Sequence, residues 1–86
     1  MEYRHYGATG LRVSALGFGA MRLPTRGGGQ CDLERAVPIL RRAIALGVTY
    51  FDSAYDYLNG TSEVAVGEAI QPYPRAEFIL STKIPI

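Results

Sequence analysis

The sequence is poor in the residues that build metal sites and covalent cross-links. Its 86 residues include one cysteine, Cys31, and one histidine, His5. A lone cysteine forms no internal disulfide, and one Cys with one His does not assemble a zinc site of soft ligands. An excess of either charge is missing too. Nine basic side chains face eight acidic ones, for a net charge of +1, so there is no basic field for nucleic acid and no acidic tail. No run approaches the roughly 18 apolar residues that a membrane span requires. The polar opening Met1–Gly10 lacks the apolar region of a signal peptide. Together these absences predict a soluble chain in a reducing, cytoplasmic setting, with no membrane or nucleic-acid partner. There is no internal repeat and no low-complexity tract beyond Gly27-Gly28-Gly29.

What is present is an ordinary globular composition, about half apolar, with six tyrosines. The length allows one small domain. A chain of this size buries only about 60–65% of the surface its unfolded form exposes, which makes it marginal on its own.

The pattern along the chain alternates between strand and helix signals. Residues 3–14 read as a β-hairpin: a strand over Tyr3–Tyr6, turn formers at Gly7-Ala8-Thr9-Gly10, then Leu11 and Val13 alternating with Arg12 and Ser14. Leu16–Met21 is a short apolar run whose two glycines suit a buried strand under close backbone approach. Leu23-Pro24 ends it, and Thr25–Gln30 reads as a flexible loop. A helix is expected over Leu33–Leu46. Asp32 is placed to cap it through its carboxylate, and Leu33, Ala36, Val37, Leu40 and Ile44 form one apolar stripe. Gly47 sits where a left-handed residue closes a helix. Pro38 removes an interior amide donor and predicts a kink. Val48–Phe51 reads as a second buried strand, Asp52–Gly60 as a polar loop, and Glu63–Ile70 as a short helix capped by Ser62. After Gln71–Arg75, with its two prolines, Glu77–Thr82 reads as a third strand.

This order, a hairpin over 1–14 and then strand–helix–strand–helix–strand over 15–86, implies a parallel α/β sheet. Doubly wound sheets and (β/α)8 barrels both begin this way. A closed barrel needs about 250 residues, and the chain stops on a strand with a bare edge, so it reads as incomplete. Self-association through that edge is one expectation.

If the sheet belongs to a barrel, its reactive side chains lie just past the strand C-termini. Those positions are Gly19, Ala20 and Met21 after the first strand, Asp52 to Tyr57 after the second, and Lys83 after the third. An acid, a phenol and an amine thus share one rim. A phenol of ordinary pKa about 10 is a poor donor near neutrality, and an adjacent ammonium lowers that value by stabilising the phenolate. A carboxylate paired with the ammonium fixes its position. Such a trio suits protonation of an alkoxide as hydride reaches a carbonyl carbon.

Three segments are similar to the aldo-keto reductases: Thr9-Gly10-Leu11-Arg12-Val13-Ser14-Ala15-Leu16-Gly17-Phe18-Gly19, Phe51-Asp52-Ser53-Ala54-Tyr55-Asp56-Tyr57, and Ser81-Thr82-Lys83. The resemblance covers nearly the whole chain in order. It also takes in Ser62-Glu63 and Val66-Gly67-Glu68-Ala69, which resemble the helix after the family's tyrosine. It implies the N-terminal part of a (β/α)8 TIM barrel and an oxidoreductase that reduces aldehydes and ketones to alcohols. NADPH is the implied cofactor, with NADH as the alternative, and a small carbonyl compound is the implied substrate. Asp52, Tyr57 and Lys83 match the family's catalytic Asp, Tyr and Lys. Gly19-Ala20-Met21, with Asp52, match its contacts to nicotinamide and ribose. The matching Tyr stands five residues after the Asp, with Leu58-Asn59-Gly60 following where family members commonly place glycine at once. The family's catalytic histidine, which follows its next strand, and its phosphate-binding loops have no counterpart here. Ala20-Met21-Arg22-Leu23-Pro24 is also similar to a bacterial branch that carries an iron–sulfur cluster in a C-terminal extension, and these 86 residues hold no such extension.

Each residue also has a plainer reading. Asp52 could be a turn acceptor, Tyr57 a packing residue in place of which Tyr55 would act, and Lys83 a solvated strand end. The triple glycine lacks G-x-G-x-x-G spacing and a following Lys-Ser/Thr, so it reads as a loop and not a phosphate cradle. Cys31 reads as an inert thiol, Arg41-Arg42 as a solvated face, and His5 as an exposed strand residue. An inactive fragment, or a non-catalytic binding module of the same fold, is the alternative to an enzyme.

Overall fold

The computed structural model describes residues 1–85. β1 (Tyr3–His5) and β2 (Arg12–Ser14) pair antiparallel, with Tyr3 opposite Ser14. The two apolar residues expected on one face of this hairpin part company. Val13 is buried, whereas Leu11 lies before the paired stretch and is exposed. The hairpin is tied to the rest of the chain through Ser14. Its hydroxyl donates to the Leu16 carbonyl and accepts from the Thr49 amide, and Thr49 Oγ1 accepts from the Ser14 amide.

β3 (Gly17–Gly19), β4 (Tyr50–Asp52) and β5 (Ile79–Ser81) form a parallel sheet in that order. The connections are α1 (Leu33–Ala45) and α2 (Ser62–Ile70). The alternation of elements is the one expected, but the strands are shorter and the second is displaced toward Asp52. The displacement has a local cause: the Val48 amide turns back to the Ala43 carbonyl at the helix end, so pairing with β5 begins only beyond it, where Ile79 donates to Thr49. On the other side, Glu77 and Phe78 are drawn into a 3-10 turn over Arg75–Glu77.

One face of this sheet is covered by both helices. Phe51 lies at its centre, 1% exposed, with Phe18 and Phe78 rings at 5.8 and 6.1 Å. Ala36, Val37, Leu40 and Ala43 come down from α1, and Ala65, Val66 and Ala69 from α2. Complete burial of a side chain such as Leu40 or Phe51 contributes about 1.5–3 kcal/mol. The expected stripe on α1 is present, with Leu33 and Ile44 only partly covered at its ends. The first strand is not the buried one its apolar run suggested. Gly17 and Gly19 are exposed and Phe18 half-covered, because no element among the described residues packs on its outer side.

Several local expectations change. α1 continues through Pro38, which is exposed, so the Glu34 carbonyl left without its amide donor is open to water. Asp32 stands at the N-cap position, but its backbone carbonyl, not its carboxylate, receives the Arg35 and Ala36 amides. The carboxylate lies 3.9 Å from Arg26 instead. Arg41 is not wholly solvated. It donates to the carbonyls of Glu68 and Ala69 at the end of α2, where unpaired carbonyls and the helix dipole favour a cation. Gly47 does close α1, at φ 99°, and the Tyr3 hydroxyl reaches its carbonyl.

Candidate active site

Register fixes which side chains share the sheet's C-terminal edge. Gly19, Asp52 and Ser81 are level with one another in the three strands. Side chains two residues apart point to one side, so Lys83, two beyond Ser81, projects on the same face as Asp52. The ladder continues past the strands through Ser53 N to Ser81 O and Tyr55 N to Lys83 O. Lys83 is thereby brought over the loop that carries Tyr57.

The Lys83 ammonium donates to Asp52 Oδ1 at 3.0 Å and to the Ser53 carbonyl at 2.9 Å. It also stands over the Tyr57 ring, 4.7 Å from the centroid. Lys83 thus touches both of the residues expected to act with it. Lys83 is held above the ordinary lysine range, first by Tyr57 and then by Asp52, with desolvation opposing both. The ion pair is about half exposed on both sides, and exposed pairs contribute little to stability. Its effect is to orient the ammonium. Tyr55, the rival phenol, is exposed, whereas Tyr57 is half-buried in a 3-10 turn over Tyr57–Gly60.

That turn carries strain. Leu58 and Asn59 both adopt left-handed backbone, at φ 55°, a conformation that costs a non-glycine residue about 1–2 kcal/mol. Two contacts hold it there. Leu58 packs against the core, and Asn59 Nδ2 donates to the Gly28 carbonyl at 2.8 Å. The triple-glycine segment, expected as a flexible loop, is shaped by this contact. It forms a 3-10 turn within a tight bend in which Thr25 bridges Cys31, and Asn59 clasps it to the tyrosine loop. Cys31 itself is buried, and burial, with Asp32 nearby, raises its thiol pKa. His5 is exposed in β1.

The turn Gly19-Ala20-Met21 faces the same edge. Ala20 is completely buried and its amide donates to the Asp52 carbonyl at 2.8 Å. Met21 is exposed, and its amide has no hydrogen-bond partner among the described residues. Nothing lies within 4 Å of the space a side chain at Gly19 would fill. Beneath this turn are two buried hydroxyls that the sequence reading missed. Ser62, expected as a helix cap, makes no capping bond. Its hydroxyl donates to the Ala20 carbonyl at 2.7 Å and lies 2.8 Å from Ser53 Oγ. Both serines belong to segments that carried the family resemblance, and that was the available signal.

A profile of the Aldo/keto reductase family matches residues 15–86. The chain belongs to the aldo/keto reductase family. Among curated relatives, it is 40% identical to a probable voltage-gated potassium channel subunit beta of Arabidopsis thaliana, over 98% of this chain and 25% of that protein. It is 38% identical to L-galactose dehydrogenase of the same plant, over 96% of this chain and 26% of that protein. Among solved structures, an aldo-keto reductase from Bacillus halodurans in its holo form aligns with a TM-score of 0.83 at 38% identity, covering 98% of this chain and 26% of that one. The chain thus spans about a quarter of the length of the relatives it matches. Its hairpin and three-stranded parallel sheet correspond to one segment of an aldo/keto reductase barrel. No helix among the described residues is long and apolar enough to cross a membrane.

Proposed function

We propose that this segment carries the proton-donating half of a nicotinamide-dependent carbonyl reductase. The observation that supports the reading best is a single ammonium, that of Lys83, in contact with both Asp52 and Tyr57 beside the turn Gly19–Met21. The unpartnered Met21 amide and the open space at Gly19 fit a nucleotide approaching that turn. NADPH is the proposed cofactor, and when bound it supplies hydride to the carbonyl carbon of an aldehyde or ketone. Tyr57 gives its hydroxyl proton to the carbonyl oxygen, and the phenolate that remains is stabilised by Lys83. Asp52 holds Lys83 in that position.

The test is loss of reduced-cofactor absorbance when the intact protein bearing this sequence is mixed with NADPH and a reactive aldehyde. Tyr57→Phe lowers turnover by about 100-fold or more, the scale of a positioned general acid. Near-normal turnover in that variant moves the role to Tyr55. The 86 residues alone are expected to show no rate above their own Tyr57→Phe version. Hydride transfer needs the reacting atoms held about 3–3.5 Å apart, and one quarter of a barrel does not enclose them. A higher rate would mean that the chain completes its cleft by pairing through the open β5 edge.

A second reading is favoured by one observation: three relatives at 36–40% identity are named as voltage-gated potassium channel beta subunits. In that reading the same residues bind nucleotide within an assembly. Tight NADPH binding without aldehyde turnover in the intact protein would select it.

A further inference from the structure

We propose that Ser62 is a positioning residue for the cofactor turn, acting through a directed pair of buried hydroxyl hydrogen bonds that begins at Ser53. The inference rests on the nicotinamide reading above.

The direction follows from counting protons. Each serine hydroxyl has one proton to give and two lone pairs to receive with. Ser62 is fully buried, and its hydroxyl lies 2.7 Å from the Ala20 carbonyl oxygen, which can only accept. The Ser62 proton is therefore committed to Ala20. Ser53 Oγ, also buried and 2.8 Å away, must then be the donor in the contact between the two serines. The order is Ser53 to Ser62 to the Ala20 carbonyl. No buried polar side-chain atom among the described residues lacks a partner, so the pair is complete without water.

Its place in the fold gives it a function. Ala20 is gripped from both sides: its amide donates to the Asp52 carbonyl and its carbonyl receives Ser62. In a trans peptide the carbonyl and the following amide point in opposite directions, and every peptide bond among the described residues is trans. Fastening the Ala20 carbonyl toward α2 therefore aims the Met21 amide away from α2, and that amide is the donor left without a partner. At its other end the relay starts on Ser53, whose backbone carbonyl receives Lys83 at 2.9 Å. One buried pair of hydroxyls thus ties the turn at β3, the loop after β4 and the first residue of α2 into one unit. Ser62→Ala would leave the Ala20 carbonyl without its donor inside the core and let that peptide plane swing.

The experiment compares Ser62→Ala, Ser53→Ala and the double variant in the intact protein, with NADPH as the probe. It reads NADPH Kd by fluorescence titration, the KM values of NADPH and of an aldehyde, and thermal stability. Ser62→Ala is expected to weaken NADPH binding about three- to tenfold, the scale of one hydrogen bond. NADPH KM rises accordingly, and aldehyde KM stays within about twofold, below that scale. Ser53→Ala, which leaves the Ser62–Ala20 bond in place, has the smaller effect, and the double variant is no worse than Ser62→Ala. Unchanged NADPH affinity in a folded Ser62→Ala overturns the proposal. So does an equal rise in both KM values, which marks general loosening, and so does a Ser53→Ala loss as large as that of Ser62→Ala. If Ser62→Ala does not fold, Ser62→Cys keeps the volume with a weak donor, and NADPH affinity equal to wild type there overturns the proposal too. Wild-type protein that binds no NADPH at all would overturn the reading of function as well, whereas wild-type binding with an indifferent Ser62 overturns this inference alone.

Discussion

The Lys83 ammonium stands over the Tyr57 ring, 4.7 Å from its centroid. This contact is made with the ring, while the ammonium's hydrogen bonds go to Asp52 and Ser53. Tyr57→Phe keeps the ring and hence the cation–π contact. Its stability, measured by denaturant unfolding, is expected to stay within about 0.5 kcal/mol of wild type, and NADPH affinity is expected to change little. If Tyr57 is the proton donor proposed above, the same variant lowers turnover while folding is unchanged. A parallel fall in both would make Tyr57 a packing residue.

Lys83 gives a pH dependence whose sign is fixed. Its folded pKa is raised, chiefly by Tyr57 and then by Asp52. A raised cation pKa adds stability that is fully present below the unfolded value, about 10.4 for lysine, and is lost as pH rises through the folded value. The stabilising contribution of Lys83 is therefore level below the ordinary lysine value and declines only in the alkaline range above it. Lys83→Met removes only this small contribution, because the pair is about half exposed. Urea midpoints measured from pH 7 to 11 check it, and an unaltered alkaline decline in Lys83→Met would show that another group causes it.

Asn59 separates backbone strain from its side-chain contact. Asn59→Ala loses the bond to Gly28 and forces alanine into φ 55°. A cost of about 1–3 kcal/mol is expected, from one hydrogen bond and one strained residue together. Asn59→Gly loses the same bond but relieves the strain, and costs about 1 kcal/mol less than alanine. Chemical denaturation of the two variants decides the order, and equal costs would remove strain from the account.

Gly47 is where the hairpin meets the end of α1. A Cβ added there would come 2.8 Å from Met1 Cβ and 2.9 Å from the Tyr3 hydroxyl, at φ 99°. Gly47→Ala is expected to destabilise by about 2 kcal/mol or more, from strain and clash combined. Amide exchange over Tyr3–Ser14 quickens more than over α1, because the hairpin is displaced first. Uniform quickening would mean that the hairpin and helix unfold as one unit.

The sequence by itself determined the order of the elements and the face that α1 buries. The period of Ala36, Val37 and Leu40 marks the covered side of α1, and Gly47 marks its end, because side-chain burial and left-handed backbone are properties of short stretches. It also determined that Asp52, Tyr57 and Lys83 are of the types needed for one chemistry, since each follows a strand end. Tertiary structure decided how they meet. Lys83 reaches Asp52 across 31 residues because β4 and β5 pair in one particular register, and no local pattern encodes that pairing. It decided the fate of polar residues as well. Ser62 reads as a cap, Arg41 as solvated and Gly27–Gly29 as loose when only neighbours in sequence are considered. Each instead found a partner 28 to 42 residues away. A hydroxyl, guanidinium or carbonyl takes whichever partner folding brings near, so the partner is set by the packed chain and not by the residue.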